Sequence, residues 1–339
     1  MLQVRNETPF EPGLFVFPDA QGVDTLYVVV KASFSLGRDG PVVAEKQQKL
    51  VLADEYWGEP GQSSLKYASE AHLLKPGTDV VLLGEAHAPK GKPVASSLVS
   101  VKVGALRKIV QVIGDRRWKG GLTSPSPSSP EPFLRMPLTY ERAYGGVHTL
   151  DAERGKVLSE PRNPVGRGFR GKRSASELQG LPLPNLEDPL KLIQAVTDTP
   201  SPAGFGFVAP SWQPRQAFAG TYDQAWQERR APYLPLDFRA EFFLTAPPEL
   251  SAREFLKGGE PVEIIGASPN GVQRFKLPVC RLAVSVKVAG QAHKPSLQLE
   301  TVVLEPGEDR FTMLWRGAVP CDKKALKVEQ VHFQLQAIR

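Results

Sequence analysis

Cysteine is the scarcest residue type of this sequence, since only Cys280 and Cys321 occur among 339 residues. Two cysteines provide neither a disulfide framework nor a thiolate metal cage, so we expect a reducing, cytoplasmic environment.

Long apolar runs are missing from the sequence too. The longest aliphatic stretches, such as Leu26 to Val30, fall far short of the roughly 18 residues of a membrane span, and residues 1–13 lack the continuous apolar stretch of a secretory signal. We therefore expect a soluble protein with no membrane partner.

The sequence also lacks the usual spacings of catalytic and metal-binding residues. Its five histidines are widely separated and form no H-E-x-x-H pattern, so we expect no metal and no cofactor. The segment from Gly266 to Gly271 is one residue too long for a nucleophile elbow, and Pro269 stands where an oxyanion-hole N–H is required. We therefore predict no catalytic residue. One alternative stays open, a carbohydrate-active or other hydrolase that uses Asp223 and Asp237 as paired carboxylates.

Glycine and proline are abundant, with 30 and 32 residues. Together they form about 18% of the chain, against an average of about 12%. Because neither fits well inside a helix, a helical bundle is excluded. The 41% of hydrophobic residues leaves enough apolar surface for a core, which excludes general disorder. The composition therefore points to a folded protein that is rich in turns.

The formal net charge of +6 is concentrated in one stretch, from Arg154 to Arg173, where Glu160 is the only acidic residue. This stretch contains a G-x-G-x-x-G pattern, but flanking prolines replace the strand and the long helix that a nucleotide site needs. We therefore predict a basic surface loop, with nucleic-acid binding through residues 154–173 as an alternative. The cations proposed for that role are Arg167, Arg170, Lys172 and Arg173.

Segments rich in β-branched residues and separated by Pro/Gly turns predict a mainly β fold. We expect an N-terminal β domain over residues 1–119, a Ser/Pro-rich loop or linker over 120–132, an irregular central segment over 133–235 that wraps over a sheet, and a C-terminal β domain over 236–339. The stretch Leu98 to Gly104 resembles Ala283 to Gly290, which suggests a pseudo-duplication. Short helices are predicted at 188–196 and 221–228, and a capping-box pattern predicts a third from Ser251.

The central segment carries a dense set of aromatic, arginine and carboxylate residues on turn-rich backbone, including the run Met136 to Gly146 and the stretch Ala219 to Trp226. That combination is typical of protein-binding surfaces, although the same residues could instead hold the segment onto the sheets. We predict that these side chains are partner contacts or their supports. They are Tyr140, Glu141, Arg142, Tyr144, Trp212, Arg215, Tyr222, Asp223, Trp226 and Asp237.

A series of ordered motifs extends along nearly the whole chain. They are Lys75-Pro-Gly-Thr-Asp-Val80, Gly84-Glu-Ala86, Gly114-Asp-Arg-Arg-Trp118, the Met136 to Gly146 run, Asn163-Pro-Val-Gly166, Ala219 to Trp226, Pro235-Leu-Asp-Phe238 and Trp315-Arg316. In these motifs the sequence resembles a bacterial family that was first catalogued as a domain of unknown function and is associated with type VI secretion. Glu70 and Glu300 stand where the family pattern has aspartate.

The resemblance implies a cytoplasmic adaptor or chaperone without catalytic activity. Its expected partner is a secreted effector, often one that carries a spike-tip domain, which the adaptor holds until the effector is loaded onto the secretion spike. Nucleic acid is not an expected partner on this interpretation.

Overall fold

The computed structural model describes residues 2–37, 39–120 and 125–339, and it confirms the predicted mainly β class. Strands account for 44% of the structure and helices for 11%. No helix within these ranges has the length and apolar character required to cross a bilayer. The two short α-helices are α1 (Ala175–Leu178) and α2 (Gln224–Arg229).

The strands fall into three groups along the chain. The first group comprises β1 (Gln3–Glu7), β2 (Glu11–Pro18), β3 (Asp24–Gly37), β4 (Gly40–Val43), β5 (Glu55–Tyr56), β6 (Leu65–Tyr67), β7 (Asp79–Leu82), β8 (Glu85–His87), β9 (Ser96–Val103), β10 (Leu106–Ile113) and β11 (Trp118–Lys119). The central group comprises β12 (Ser126–Pro127), β13 (Arg135–Pro137), β14 (Tyr144–Gly145), β15 (Val147–Asp151), β16 (Lys156–Ser159), β17 (Arg167–Gly168) and β18 (Leu186–Glu187). The last group comprises β19 (Pro261–Ser268), β20 (Gly271–Lys276), β21 (Cys280–Val288), β22 (Gln291–His293), β23 (Gln298–Glu305), β24 (Arg310–Pro320) and β25 (Val328–Ile338).

The largest sheet has six strands, in the order β2-β3-β24-β23-β7, with β4 paired to one end of β3. Strand β3 is buried continuously from Thr25 to Phe34, because its β-branched and aromatic residues are covered on both faces. It pairs antiparallel with β24, from Thr25 opposite Pro320 to Ser35 opposite Arg310. Strand β7 pairs in parallel with β23 at the other side of the sheet.

A five-stranded sheet (β18-β10-β9-β19-β20) and a four-stranded sheet (β1-β25-β21-β22) complete the main architecture. In all three sheets, strands from residues 1–119 pair directly with strands from residues 236–339. The two segments that we predicted as separate β domains therefore build shared sheets, because backbone pairing joins β3 to β24, β9 to β19 and β1 to β25. The two similar stretches are the first strands of hairpins β9–β10 and β21–β22, in different sheets.

The central segment packs against the sheets and also contributes β18 to the five-stranded sheet. Phe205 and Phe207 are buried in the main core, and the backbone N–H of Leu82 donates to the carbonyl of Phe205. A second, smaller core lies under this segment around Trp118, Tyr144 and Leu178. Of the Ser/Pro-rich loop, residues 121–124 lie outside the described ranges. Ser126 and Pro127 form β12, which pairs with β11, so this part of the predicted loop is held against the fold.

The helix predictions were partly wrong. Residues 188–196 form turns, in which the Asp188 carboxylate accepts the N–H of Leu190. The predicted helix at 221–228 is α2, which starts later because Asp223 caps it. No helix starts at Ser251. Ser251 instead forms a β-bridge with Asp79, and its hydroxyl donates to Asp79 Oδ1 at 2.7 Å.

A buried network of charged side chains joins β7, β23 and β24. The Lys75 ammonium lies 2.7 Å from Asp79 Oδ2, and Glu300 accepts the Lys75 N–H and the Arg316 Nε–H. Asp79 Oδ2 also accepts the N–H of Thr245 at 2.7 Å. Together with the bond from Ser251, these contacts fix residues 245–251 against the sheet. Lys75, Asp79 and Arg316 belong to the ordered motifs of the sequence, and together with Glu300 they pair their buried charges.

Candidate partner-binding surface

Residues 218–239 form a closed surface loop, which we call the aromatic loop. Its two ends are joined by Asp237, whose Oδ1 accepts the N–H of Thr221 at 3.0 Å and whose Oδ2 accepts the Thr221 hydroxyl at 2.7 Å. The N–H of Arg239 also donates to the carbonyl of Phe218, and the Arg239 guanidinium lies 4.7 Å from the Phe218 ring. These contacts bring the two ends of the loop together.

Helix α2 gives the aromatic loop its internal structure. The Asp223 carboxylate accepts the N–H of Trp226 at 2.8 Å, which satisfies one of the free donors at the start of the helix. The Trp226 indole N–H then donates to the carbonyl of Tyr233 at 2.8 Å, and the Trp226 ring packs edge-on against Tyr222 at 4.7 Å. Side chains of the loop therefore fix its own conformation.

The aromatic loop exposes large apolar side chains. It is attached to the turn between β2 and β3. Leu236 is 88% exposed, Tyr222 53% and Tyr233 39%. The attachment is formed by Arg230, which donates to the carbonyl of Ala20 at 2.7 Å. Because hydrogen bonds within the loop already fix its backbone, binding of a partner here costs little conformational entropy.

A groove of about 520 Å³ lies beside the aromatic loop and shares Phe218 and Arg239 with it. Its remaining walls are mostly apolar and come from Pro76, Val208, Pro214, Arg215, Glu241 and residues 244–253. Asp79 holds the last of these segments through Thr245 and Ser251. Arg215 borders the groove, but its guanidinium is buried and donates to the carbonyls of Phe242 and Val208. The loop and the groove together form a continuous candidate surface for a protein partner.

The structure divides the predicted partner contacts into exposed and buried residues. Tyr222, Asp223, Trp226 and Asp237 all belong to the aromatic loop. Tyr140 and Trp212 are instead buried in the main core, where their rings pack edge to face at 5.4 Å, and burial raises the pKa of Tyr140. Tyr144 is buried in the second core. These three residues and Arg215 are buried and contribute to the packing of the fold.

Glu141 and Arg142 connect chain segments. Glu141 accepts both the N–H and the hydroxyl of Ser64, at 2.6 and 2.9 Å. Arg142 donates to the carboxylate of Asp115 and to the side-chain oxygen of Asn185, both at 3.1 Å. Both residues use their polar atoms within the protein, which is the holding role that we considered as the alternative to partner contact.

The basic loop is tied to its own backbone. Arg167 Nε donates to the carbonyl of Glu141, and Arg170 Nε donates to the carbonyl of Arg173. Arg173 donates to the carbonyls of Phe169 and Val147. Lys172 is exposed, and its backbone N–H donates to His148 Nδ1. The three arginines predicted for phosphate contact therefore stabilise the loop, which weakens the case for nucleic-acid binding.

Asp223 and Asp237, the carboxylates of the hydrolase alternative, both have structural partners. Hydrogen bonds from Thr221 hold the pKa of Asp237 below its ordinary value, so this group stays ionised at neutral pH. The general acid of a glycosidase needs the opposite, a raised pKa. Neither carboxylate lines the groove. Among the described residues, no group of three or more His, Cys, Asp or Glu side chains is arranged to hold a metal ion.

Sequence reasoning did not find the groove. Its walls come from residues far apart in the chain, such as Pro76, Val208 and Arg253, and no local pattern connects them. The sequence gives one signal of the groove, which is the set of prolines at positions 214, 247 and 248, because proline keeps this backbone irregular.

Comparison with known proteins assigns the chain to a family. It belongs to the bacterial family described as "Uncharacterized protein conserved in bacteria (DUF2169)", whose sequence profile matches residues 21–316. That range includes the aromatic loop, the walls of the groove and the buried charge network. No curated protein and no solved structure matches the chain.

Proposed function

We propose that this protein is a non-enzymatic adaptor that binds a type VI secretion effector, or the spike-tip protein on which the effector travels, in the bacterial cytoplasm. In this role it stabilises the effector and assists its loading onto the secretion spike. The proposal rests on the resemblance carried by the ordered motifs and on one structural observation. That observation is the rigid aromatic loop, which exposes Tyr222, Tyr233 and Leu236 beside an apolar groove.

The physical basis is the chemistry of protein interfaces. Aromatic and arginine side chains contribute most of the binding energy in such interfaces, and they act best beside a pocket that accepts a partner's anchor residue. The aromatic loop presents tyrosine and leucine surface, and Arg239 borders the groove. Hydrogen bonds within the loop already fix its backbone, so binding does not have to order it.

Co-expression with an effector encoded by a neighbouring gene tests the proposal. We expect a stable complex in size-exclusion chromatography and a larger soluble fraction of the effector than without the adaptor. The double variant Tyr222→Ala, Leu236→Asp should weaken the complex at least about tenfold, or about 1.4 kcal/mol. Leu190→Asp is the matched control, because Leu190 is also an exposed leucine, lies outside the aromatic loop and should leave binding unchanged.

Two results would overturn the proposal. The first is an effector that is equally soluble and equally secreted when this gene is deleted. The second is a complex whose affinity is the same for the wild-type chain and for the double variant, which would place the effector on another surface.

A further inference from the structure

Strand β20 lies at the edge of the five-stranded sheet, and β19 is the one described strand with which it pairs. Its side chains alternate. Phe275 stacks on Phe311 with ring centres 4.9 Å apart, and Gln273 donates to Asp309 Oδ1 at 2.7 Å, so both point inward. Val272, Arg274 and Lys276 are exposed. An edge strand of this kind offers a row of backbone N–H and C=O groups to another chain.

A groove of about 950 Å³ runs beside this edge, between β20 and β4. It continues into a cavity of about 290 Å³ at the Asn270 end, and the two share Gly40, Arg274 and Phe275 in their walls. Its apolar surface includes Val42 and Ile338, which are both exposed. The six residues of β20 span about 20 Å at about 3.3 Å per residue, which is enough for a six-residue extended segment.

The charge beside the edge is mostly positive. Arg274, Lys276 and Arg339 line the groove, and Asp39 is the acidic residue in the described part of its wall. Arg274 Nε lies 2.7 Å from Glu263, but the side chain remains 68% exposed and its guanidinium carries further N–H donors. A segment that carries carboxylates at alternate positions matches this pattern.

We propose that β20 binds an extended, acidic segment of a partner protein by strand addition. Backbone hydrogen bonds to β20 supply affinity, the apolar side chains of the segment pack near Val42 and Ile338, and its carboxylates face Arg274 and Lys276. A second copy of this chain does not fit, because pairing β20 with itself brings like charges together across the strands. The site shares no residue with the aromatic loop, so it stands independently of the effector proposal.

The test uses the full chain and a fluorescein-labelled seven-residue peptide of alternating valine and glutamate, with fluorescence anisotropy as the readout. We expect saturable binding that weakens at least about tenfold in the double variant Arg274→Glu, Lys276→Glu. Lys323→Glu, Lys324→Glu is the matched control, since it reverses the same number of charges at exposed positions outside the groove and should bind as the wild type does.

Two N-methylated versions of the peptide test the backbone contacts directly on the wild-type protein. In a strand, alternate N–H groups point to opposite sides, so methylation of one alternate set should abolish binding and methylation of the other set should leave it nearly unchanged. This comparison decides the question even if the charge-reversal variant folds poorly. Equal binding by both methylated peptides would overturn strand addition. So would equal binding of a valine/lysine peptide, or of a single-stranded oligothymidine, which would instead indicate unspecific or polyanion binding.

Discussion

Arg316 and Glu300 form an ion pair in which both side chains are completely buried, with Arg316 Nε 2.7 Å from Glu300 Oε2. The other Glu300 oxygen accepts the N–H of Lys75, and Arg316 also donates to the carbonyl of Glu70. Glu300 and Glu70 are the two positions where the resemblance described above led us to expect aspartate. The longer side chain of Glu300 reaches two donors at once in this arrangement.

Removal of the negative charge of Glu300 should destabilise the fold strongly. Glu300→Gln leaves the buried Arg316 charge without its counter-ion, so we expect a loss of about 3–5 kcal/mol in the free energy of unfolding. Urea titration measures this loss. Glu263→Gln, which removes the carboxylate facing the exposed Arg274, should cost less than about 1 kcal/mol. Equal losses in the two variants would contradict the role assigned to the buried pair.

Stability should fall as the pH is lowered below about 6.5, because of His72. Burial holds the pKa of His72 well below its ordinary value, and Arg316 and Lys75 lower it further. In the unfolded state His72 takes up a proton at the ordinary pKa of about 6.5, whereas in the folded state it stays neutral. A lower pH therefore favours the unfolded state. His72 lowers the free energy of unfolding by at most about 1.4 kcal/mol for each unit by which the pH falls.

The variant His72→Gln isolates this contribution. Unfolding titrations between pH 7.5 and about pH 5 should give a shallower dependence for the variant than for the wild type, whatever the change in absolute stability. His87, whose pKa burial also lowers, is present in both proteins and cancels in the comparison. Parallel curves would show that His72 is not the acid-sensitive group.

Gly114 should tolerate no side chain. A Cβ at this position would lie 1.8 Å from the carbonyl oxygen of Glu131, which is backbone and cannot rotate away. We expect Gly114→Ala to cost about 3 kcal/mol by forcing the backbone apart. Gly307→Ala is the control, because a Cβ there meets nothing within 4 Å and should change stability by less than about 0.5 kcal/mol. Thermal unfolding distinguishes the two.

Arg173 and Lys172 should behave differently although both are cations of the basic loop. Arg173→Met leaves the carbonyls of Phe169 and Val147 without their donor, so we expect a loss of about 1–2 kcal/mol. Lys172→Met should change stability by less than about 0.5 kcal/mol. A larger effect of Lys172 on stability would contradict the role assigned to Arg173. A loss of single-strand binding in Arg173→Met without a change in stability would favour the nucleic-acid alternative.

Opening of the aromatic loop should be local. Asp237→Ala removes both acceptors of Thr221, and we expect amide deuterium exchange over residues 221–237 to accelerate at least about tenfold with little change in the global unfolding midpoint. Asp198→Ala is the matched control, since Asp198 accepts the N–H groups of Gln194 and Ala195 and should affect that turn alone. Unchanged exchange in the aromatic loop would show that other contacts close it.

The positions of the strands could be predicted more reliably than the pairing of strands within the sheets. The β-branched run from Thr25 to Leu36 lies within β3, and the run from Leu106 to Ile113 forms β10, so segments of this composition do mark strands. β24, which pairs with β3 on the side opposite β2, lies about 285 residues later in the chain, and no local pattern specifies that pairing. Residues 188–196 have a composition that favours a helix. The carboxylates of Asp188 and Asp198 instead accept backbone N–H groups there and stabilise turns.

The candidate surface could be predicted in composition but not in exposure. Tyr140 and Tyr222 are the same residue type in similar turn-rich surroundings, yet Tyr140 packs on Trp212 in the core and Tyr222 is exposed. Aromatic side chains serve cores and interfaces alike, so sequence alone does not separate the two uses. Tertiary contacts decide which aromatic residues a partner can reach.

The pairing of β3 with β24 also determines when this protein can fold during synthesis. A ribosome adds about 5–20 residues per second, so β3 waits on the order of tens of seconds for the strand that completes its sheet. During that interval a long, apolar strand has an open edge, which is a hazard for aggregation. This chain is therefore expected to fold slowly, after synthesis of β24.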